Sequence, residues 1–289
     1  MERLAPDQLR ELRAELPAIA AQSPRLVRVA ANQLGRDFIV GDIHGTFDDV
    51  WAAMKLAGFE RTRDRLFSVG DLVDRGAGSG RAGRFLAQPY VFAIQGNHEA
   101  DLLDLHLSHD DPDEGLEVLT RINFNGIGWL AEISAADRVE LLKSIAKLPI
   151  AMEVSTARGT VGIVHGEVPR GMDWSTFAAN LERGDPATID SCLTGRTRLK
   201  TNDTRGVPGI GRVFAGHTPQ FAGAKRLGNC YAIDTGSVFK DLADRPGAAL
   251  TVANLAFQTI SLATPRSQDN VRLLDEFSDE PFGDYAAPR

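Results

Sequence analysis

Cysteine is nearly missing from this chain: Cys192 and Cys230 are the only two among 289 residues. Two thiols build no disulfide framework, and both are expected to stay reduced. The N-terminal Met1-Glu2-Arg3-Leu4-Ala5-Pro6-Asp7 lacks the apolar run of a secretory leader, so a cytoplasmic setting is expected. No apolar run of about 18 residues occurs, which argues against a membrane-spanning helix. Basic residues are in deficit, 32 Lys and Arg against 39 Asp and Glu, and the formal charge of −7 opposes binding to a nucleic-acid backbone. Repeats and low-complexity tracts are also absent.

What the chain does have is apolar content, 43%, enough to fill a large core. It also has five short motifs, each placing a histidine or carboxylate at the end of an apolar run. These are Gly41-Asp42-Ile43-His44-Gly45, Gly70-Asp71-Leu72-Val73-Asp74-Arg75-Gly76, Gly96-Asn97-His98-Glu99, His165-Gly166 and Gly216-His217-Thr218. The runs before them are strand-like: Phe38–Val40, Leu66–Val69, Val91–Ile94, Val161–Val164 and Arg212–Ala215. Strands that end together deliver such residues to one edge, where open α/β sheets bind ligands. Aspartate, asparagine and histidine suit divalent metals, and one carboxylate can bridge two ions. The pattern predicts a two-metal hydrolase, and ligands spread from Asp42 to His217 predict a single domain.

The five motifs, in this order, resemble those of the metallophosphoesterase superfamily. The likeness is to its phosphoprotein phosphatase branch, and within it to bacterial and phage serine/threonine phosphatases. It runs from about Phe38 to about Phe239, with Asn229–Gly236 matching the strand after the last ligand. The resemblance implies an α/β fold, an αββα sandwich of two mixed sheets. It also implies two divalent ions, manganese first, with iron or zinc as alternatives. Asp42 and His44 would hold one ion, Asp71 would bridge, and Asn97, His165 and His217 would complete the second. The bridged ions would acidify a shared water that attacks phosphorus in line, and their charge reverses the local sign for phosphate esters.

The same resemblance gives His98 the role of general acid, held by Asp74, and gives Arg75 a grip on phosphate oxygens. A second arginine is expected between His165 and His217, where the family often has W-x-R-x-R. Here the segment is Leu193-Thr194-Gly195-Arg196-Thr197-Arg198, with Thr194 at the tryptophan position. Arg196 is the choice, with Arg198 and Arg205 behind it. Taken singly, each residue has an ordinary explanation: Asp42 as a helix cap, His217 as a core histidine, Arg75 in an ion pair. Glu99 and Asp234 read equally as groups that orient histidines or as cap and turn formers.

Elsewhere, Leu9, Leu12, Leu16 and Ile19 predict an N-terminal helix over about 6–22, kinked or ended by Pro17. Short helices are expected over Asp48–Leu56 and Arg81–Leu86, and a helical insertion over about 100–150. That insertion contains Asn125-Gly126-Ile127-Gly128-Trp129, similar to a family NG-x-x-W turn. Ala100–Leu107 is expected as a helix, with His106 near its end and His109 just beyond. Beside Asp110, Asp111, Asp113 and Glu114 they suggest either an extra metal site or, as expected here, a solvated acidic loop. Residues 248–262 predict two strands turning near Asn254, and 265–289 a tail outside a domain of 1–264. Trp51, Trp129 and Trp174 are expected in the core.

The leading expectation is a serine/threonine phosphatase acting on phosphoproteins or small phosphate esters as a monomer, without nucleic acid or membrane. The rival is a dinucleoside polyphosphate hydrolase of the bacterial diadenosine tetraphosphatase type. Those enzymes usually carry GNHD where this chain has Glu99, and lack a counterpart of Asp74. A non-catalytic scaffold ranks last, because no ligand or acid position is missing.

Overall fold

Along Asp37–Val40, alternate side chains enter different apolar environments. Phe38 and Val40 pack among helices, whereas Ile39 joins Phe67, Ile163 and Phe214 in a separate cluster. A period of two with both faces apolar is what a strand needs when layers cover it on both sides. The computed structural model describes residues 2–108, 112–256, 266–268 and 271–274.

The strands are β1 (Leu26–Val29), β2 (Asp37–Val40), β3 (Arg65–Ser68), β4 (Val91–Ala93), β5 (Ala151–Thr156) and β6 (Gly159–Ile163). They continue with β7 (Arg212–Ala215), β8 (Lys225–Leu227), β9 (Cys230–Ala232), β10 (Leu250–Asn254), β11 (Arg266–Gln268) and β12 (Val271–Leu274). One mixed sheet has the order β1-β5-β6-β7-β9-β8, the other β11-β12-β10-β2-β3-β4. The helices are α1 (Pro6–Gln22), α2 (Phe47–Leu56), α3 (Ala82–Leu86), α4 (Asn97–Ser108) and α5 (Pro112–Arg121). After them come α6 (Ala135–Ala146), α7 (Trp174–Arg183), α8 (Pro186–Thr194) and α9 (Thr197–Thr201).

Three apolar clusters define the layers. The inner faces of both sheets meet through Ile39, Phe67, Val69, Val161, Ile163, Phe214 and Tyr231. Residues of α1, α2, α4 and α6 cover the outside of the second sheet. On the outside of the first, Trp174, Phe177, Leu181 and Cys192 pack on Val213 and Cys230. This is the expected αββα arrangement. Phe67 is wholly buried between the sheets, and its truncation to alanine should cost about 3–5 kcal/mol.

Several expectations need correction. Helix α1 runs to Gln22, so Pro17 does not end it; buried Leu12 and Leu16 dock it on the core and outweigh one lost hydrogen bond. His106 and Asp113 lie in no solvated loop: both are buried, and Asp113 pairs with Arg138 at 2.7 Å. His109, Asp110 and Asp111 fall outside the described residues. Only the first of the two strands expected over 248–262 is described, as β10, and 257–262 fall outside. Beyond Thr264, β12 pairs parallel to β10 and β11 pairs with β12, so part of the expected tail belongs to the sheet. An open β10 edge offers the backbone groups that such pairing satisfies. Helices α7–α9 had no signal in the motif reading. Trp129 and Trp174 are buried, but Trp51 is 43% exposed. No helix among the described residues is long and apolar enough to cross a membrane.

Candidate dinuclear metal site

Parallel neighbours β2, β3 and β4 end in the first three motifs, and parallel neighbours β6 and β7 end in the last two. The face-to-face sheets bring both edges together. His44, Asp71 and His98 have candidate ligand atoms within 4.8 Å of one another, and so do Asp71, His165 and His217. Asp71 is common to both groups. Its Oδ2 lies 3.4 Å from His44 Nε2 and its Oδ1 lies 3.3 Å from His165 Nε2.

The backbone pays locally for this convergence. His44, Asp71, Asp74, Arg75 and His217 all adopt positive φ, between 43° and 69°. Such conformations persist in non-glycine residues only where surroundings over-determine them. Glycine is required where the loops touch: a Cβ on Gly96 would collide with Asp71 Oδ1, and one on Gly216 with Asp42 Oδ1. Glu99 supplies much of the restraint. Its buried carboxylate accepts amide hydrogens from Asp71 (2.8 Å), Leu72 (2.7 Å), Val73 (3.2 Å) and Gly96 (2.8 Å). It therefore fastens the second and third motifs through backbone amides. Asp234 closes a turn through Gly236 N at 2.9 Å, while its Oδ2 has no hydrogen-bond partner among the described residues.

Ring orientations follow from backbone carbonyls. His44 Nδ1 lies 2.8 Å from Val73 O and His165 Nδ1 lies 2.8 Å from Val69 O. With those protons donated, each Nε2 keeps a lone pair aimed inward. His217 is turned the other way: Nε2 lies 3.1 Å from Thr194 O and Nδ1 lies 2.8 Å from Asn97 Oδ1. Asn97 Oδ1 is also 3.1 Å from His165 Nε2. Asp42 does not belong to either compact cluster; its carboxylate accepts the His217 amide at 2.9 Å and joins the two halves there.

His98 points as expected, with Nδ1 2.7 Å from Asp74 Oδ2 and Nε2 3.9 Å from Asp71 Oδ2. Asp74 Oδ1 accepts the indole hydrogen of buried Trp129 at 2.8 Å. Trp129 is thus more than a core residue, and the NG-x-x-W turn was the available signal. The same turn supports Arg75, whose amide donates to Asn125 O at 3.1 Å. Arg75 Nη1 stands 2.6 Å from His44 Nε2. Arg196 Nε stands 2.8 Å from His217 Nε2, delivered by the loop between α8 and α9. Arg198 instead serves Glu167 and Asp203, and Arg205 pairs with Asp203 at 2.7 Å. Of the three arginines considered, Arg196 is the one that reaches the cluster.

Electrostatics favour added positive charge. Burial, with repulsion from Asp234 and Asp71, pushes Asp42 well above the usual carboxylate range. Burial and Asp71 push Glu99 to about 7, and burial pushes Asp234 up to about 6. Asp71 stays well below the usual range, because nearby His165, His44 and His98 outweigh its burial. Burial drives His44 and His217 down to about 3, keeping both neutral. His98 rises despite its burial, through Asp74 and Asp71. His165 rises despite its burial, through Asp71. An ionised shared carboxylate, the neutral imidazoles of His44 and His217 and crowded buried acids together suit a divalent pair.

Two sheet edges converging on a shared aspartate define a metallophosphoesterase-type hydrolase. The calcineurin-like phosphoesterase family matches residues 38–221, and the chain belongs to that family. Over 231 residues it is 30% identical to serine/threonine-protein phosphatase 1 of Salmonella typhimurium, covering 79% of this chain and 95% of that protein. It is also 30% identical over 171 residues to the symmetrical bis(5'-nucleosyl)-tetraphosphatase of Vibrio cholerae, 57% of this chain and 63% of that one. A protein serine/threonine phosphatase from Saccharomyces cerevisiae shares the fold, with a TM-score of 0.54 at 16% identity over 96% of this chain and 93% of its own.

Proposed function

We propose that this protein is a serine/threonine protein phosphatase working with two divalent cations, manganese foremost. The observation that carries the reading is the complete Trp129–Asp74–His98 chain beside Asp71. Asp42, His44, Asp71, Asn97, His165 and His217 would hold the cations. When bound, these would supply Lewis-acid charge to the phosphoryl oxygens and acidify water.

The remaining work falls to this chain's own groups. Arg75 and Arg196 approach from opposite halves of the site, each beside an imidazole nitrogen. Both are placed to receive phosphate oxygens, for which a planar, permanently charged guanidinium is suited. Trp129 holds Asp74, whose carboxylate accepts the His98 Nδ1 hydrogen and favours the imidazolium, which carries its second proton on Nε2, facing the site. From there His98 protonates the departing alkoxide. A serine or threonine alkoxide needs that proton; a nucleotide leaving group needs it less.

Exposed Trp51 favours a second reading, dinucleoside polyphosphate hydrolysis, since a surface indole offers a face on which a base can stack. One panel separates the two: kcat/KM of the Mn-loaded enzyme on phosphoserine, phosphothreonine and phosphotyrosine peptides and on diadenosine tetraphosphate. Phosphoserine and phosphothreonine peptides should lead. A strong preference for the dinucleotide would move the protein to the second reading.

A further inference from the structure

Beside the site, between α2 and α3, lies a cavity of about 500 Å³. Phe47, Val50 and Met54 of α2 and Phe85 of α3 give it an apolar wall, with Phe47 and Phe85 rings 5.2 Å apart. Its rim is basic. Arg61, Arg81 and Arg84 face a single carboxylate, Asp48, so three positive charges less one leave +2 in a chain of net −7. Arg81 is committed to Asp48 through bonds of 3.0 and 2.8 Å. Arg61 and Arg84 are exposed and have no carboxylate partner among the described residues. Other exposed arginines, such as Arg3, Arg28 and Arg205, each meet one. The Arg61 guanidinium instead lies 4.3 Å from the Trp51 ring centroid, over an indole that is 43% exposed.

Charge complementarity and the apolar wall together point to an occupant, and we infer that this groove docks an acidic segment of the phosphoprotein substrate, with an apolar side chain among the acids. The inference rests on the protein-phosphatase reading. One end of the groove adjoins the first motif, since Phe47 follows His44 by three residues and the turn Ala77–Arg81, which carries Arg81, packs on Gly45 through Gly78. From Phe47 to Met54, helix α2 rises about 10 Å at 1.5 Å per residue. An extended peptide covers about 3.3 Å per residue, so the groove takes roughly three residues starting a few positions from the phosphorylated one. A base is a poorer fit. Arg61 already covers one face of Trp51, and the wall offers aliphatic and aromatic surface where a base edge needs polar partners.

The test compares phosphothreonine peptides with and without a Glu-Glu-Leu-Glu extension, placed three to six residues to either side, using Mn-loaded protein. The extension on one side should lower KM about three- to tenfold with little change in kcat, and the gain should fade with added salt. Arg61→Glu with Arg84→Glu, and separately Trp51→Ala, should remove the gain while leaving p-nitrophenyl phosphate hydrolysis unchanged. Equal KM with and without the extension on both sides overturns the inference, as does a gain that survives the charge reversals. A loss confined to diadenosine tetraphosphate in those variants assigns the groove to a nucleotide instead. Fluorescence anisotropy with a phosphate-free acidic peptide reads docking without turnover. Binding that the reversals abolish supports the groove even if no phosphopeptide is hydrolysed, an outcome that would sink only the phosphatase reading.

Discussion

The two halves of the site are built differently. The β2–β4 half is a set of loops bonded to one another: amides of Ile43 and His44 donate to Asp71 O at 3.0 and 2.8 Å, and Glu99 gathers four more amides. The β6–β7 half has only short motifs, and its rings lean on distant carbonyls, Val69 for His165 and Thr194 for His217. Its arginine comes from a loop between two helices. Mutual bonding fixes the first half locally, whereas the second is placed by what packs around it. Asp71 and Asn97 tie the halves together, so a substitution can act on one half, on the tie, or on neither.

The largest effect should come from the tie. Asp71→Asn is expected to release both metal ions and to lower activity roughly 10³-fold or more, since several kcal/mol of charge stabilisation disappear. His165→Ala should disturb mainly the second half. Metal analysis checks both; an Asp71→Asn protein that still holds two ions per chain would remove Asp71 from its bridging role.

Within the first half, His98→Asn should lower kcat by about 10²–10⁴-fold with metals retained. Trp129→Phe, which deletes only the bond to Asp74, should cost about tenfold. Both losses should shrink on aryl phosphates, whose leaving group departs unprotonated. Equal losses on alkyl and aryl esters would argue against the Trp129–Asp74–His98 assignment.

In the second half, Arg196→Ala should raise KM and the inhibition constant of phosphate about tenfold, the cost of one charge-assisted pair, and leave metal content intact. Arg205→Ala, whose guanidinium is bound to Asp203, should change neither. The reverse result would misplace the arginine.

The smallest effect lies outside both halves. Burial, with Arg138 nearby, holds His106 down at about 4, below its ordinary value. The unfolded chain therefore binds the extra proton between about pH 6.5 and 4, so stability falls as pH drops through that window. About 2 kcal/mol should be lost between pH 7 and pH 5. The stability of the wild type relative to His106→Leu should fall by that amount between pH 7 and pH 5; a difference that does not change with pH would show that His106 does not titrate there.

The first half was the legible one. Its motifs are long, each sits at the end of an apolar run, and His44, Asp71 and Asn97 are close in sequence to the strands that carry them. His165 and His217 were readable only because the first three motifs gave them context. Arg196 is one of three arginines between His165 and His217 that fit the role by sequence, and no periodicity in that stretch announces α8 or α9. Glu99 and Trp129 were visible as motif letters, but their partners lie about 28 and 55 residues away in sequence.

Apolar runs and ligand types in the sequence predict an α/β domain that gathers carboxylates and imidazoles at one edge, while the sandwich and the family came from the resemblance of the five motifs. Those features depend on local period and side-chain chemistry, which each short segment carries within itself. Tertiary structure alone decided that Arg196 rather than Arg198 faces His217, that Trp129 secures Asp74, and that His106 is dry. It also left Trp51 on the surface under Arg61. Each of these is a contact between segments far apart in the chain, set by how the sheets and helices close on one another.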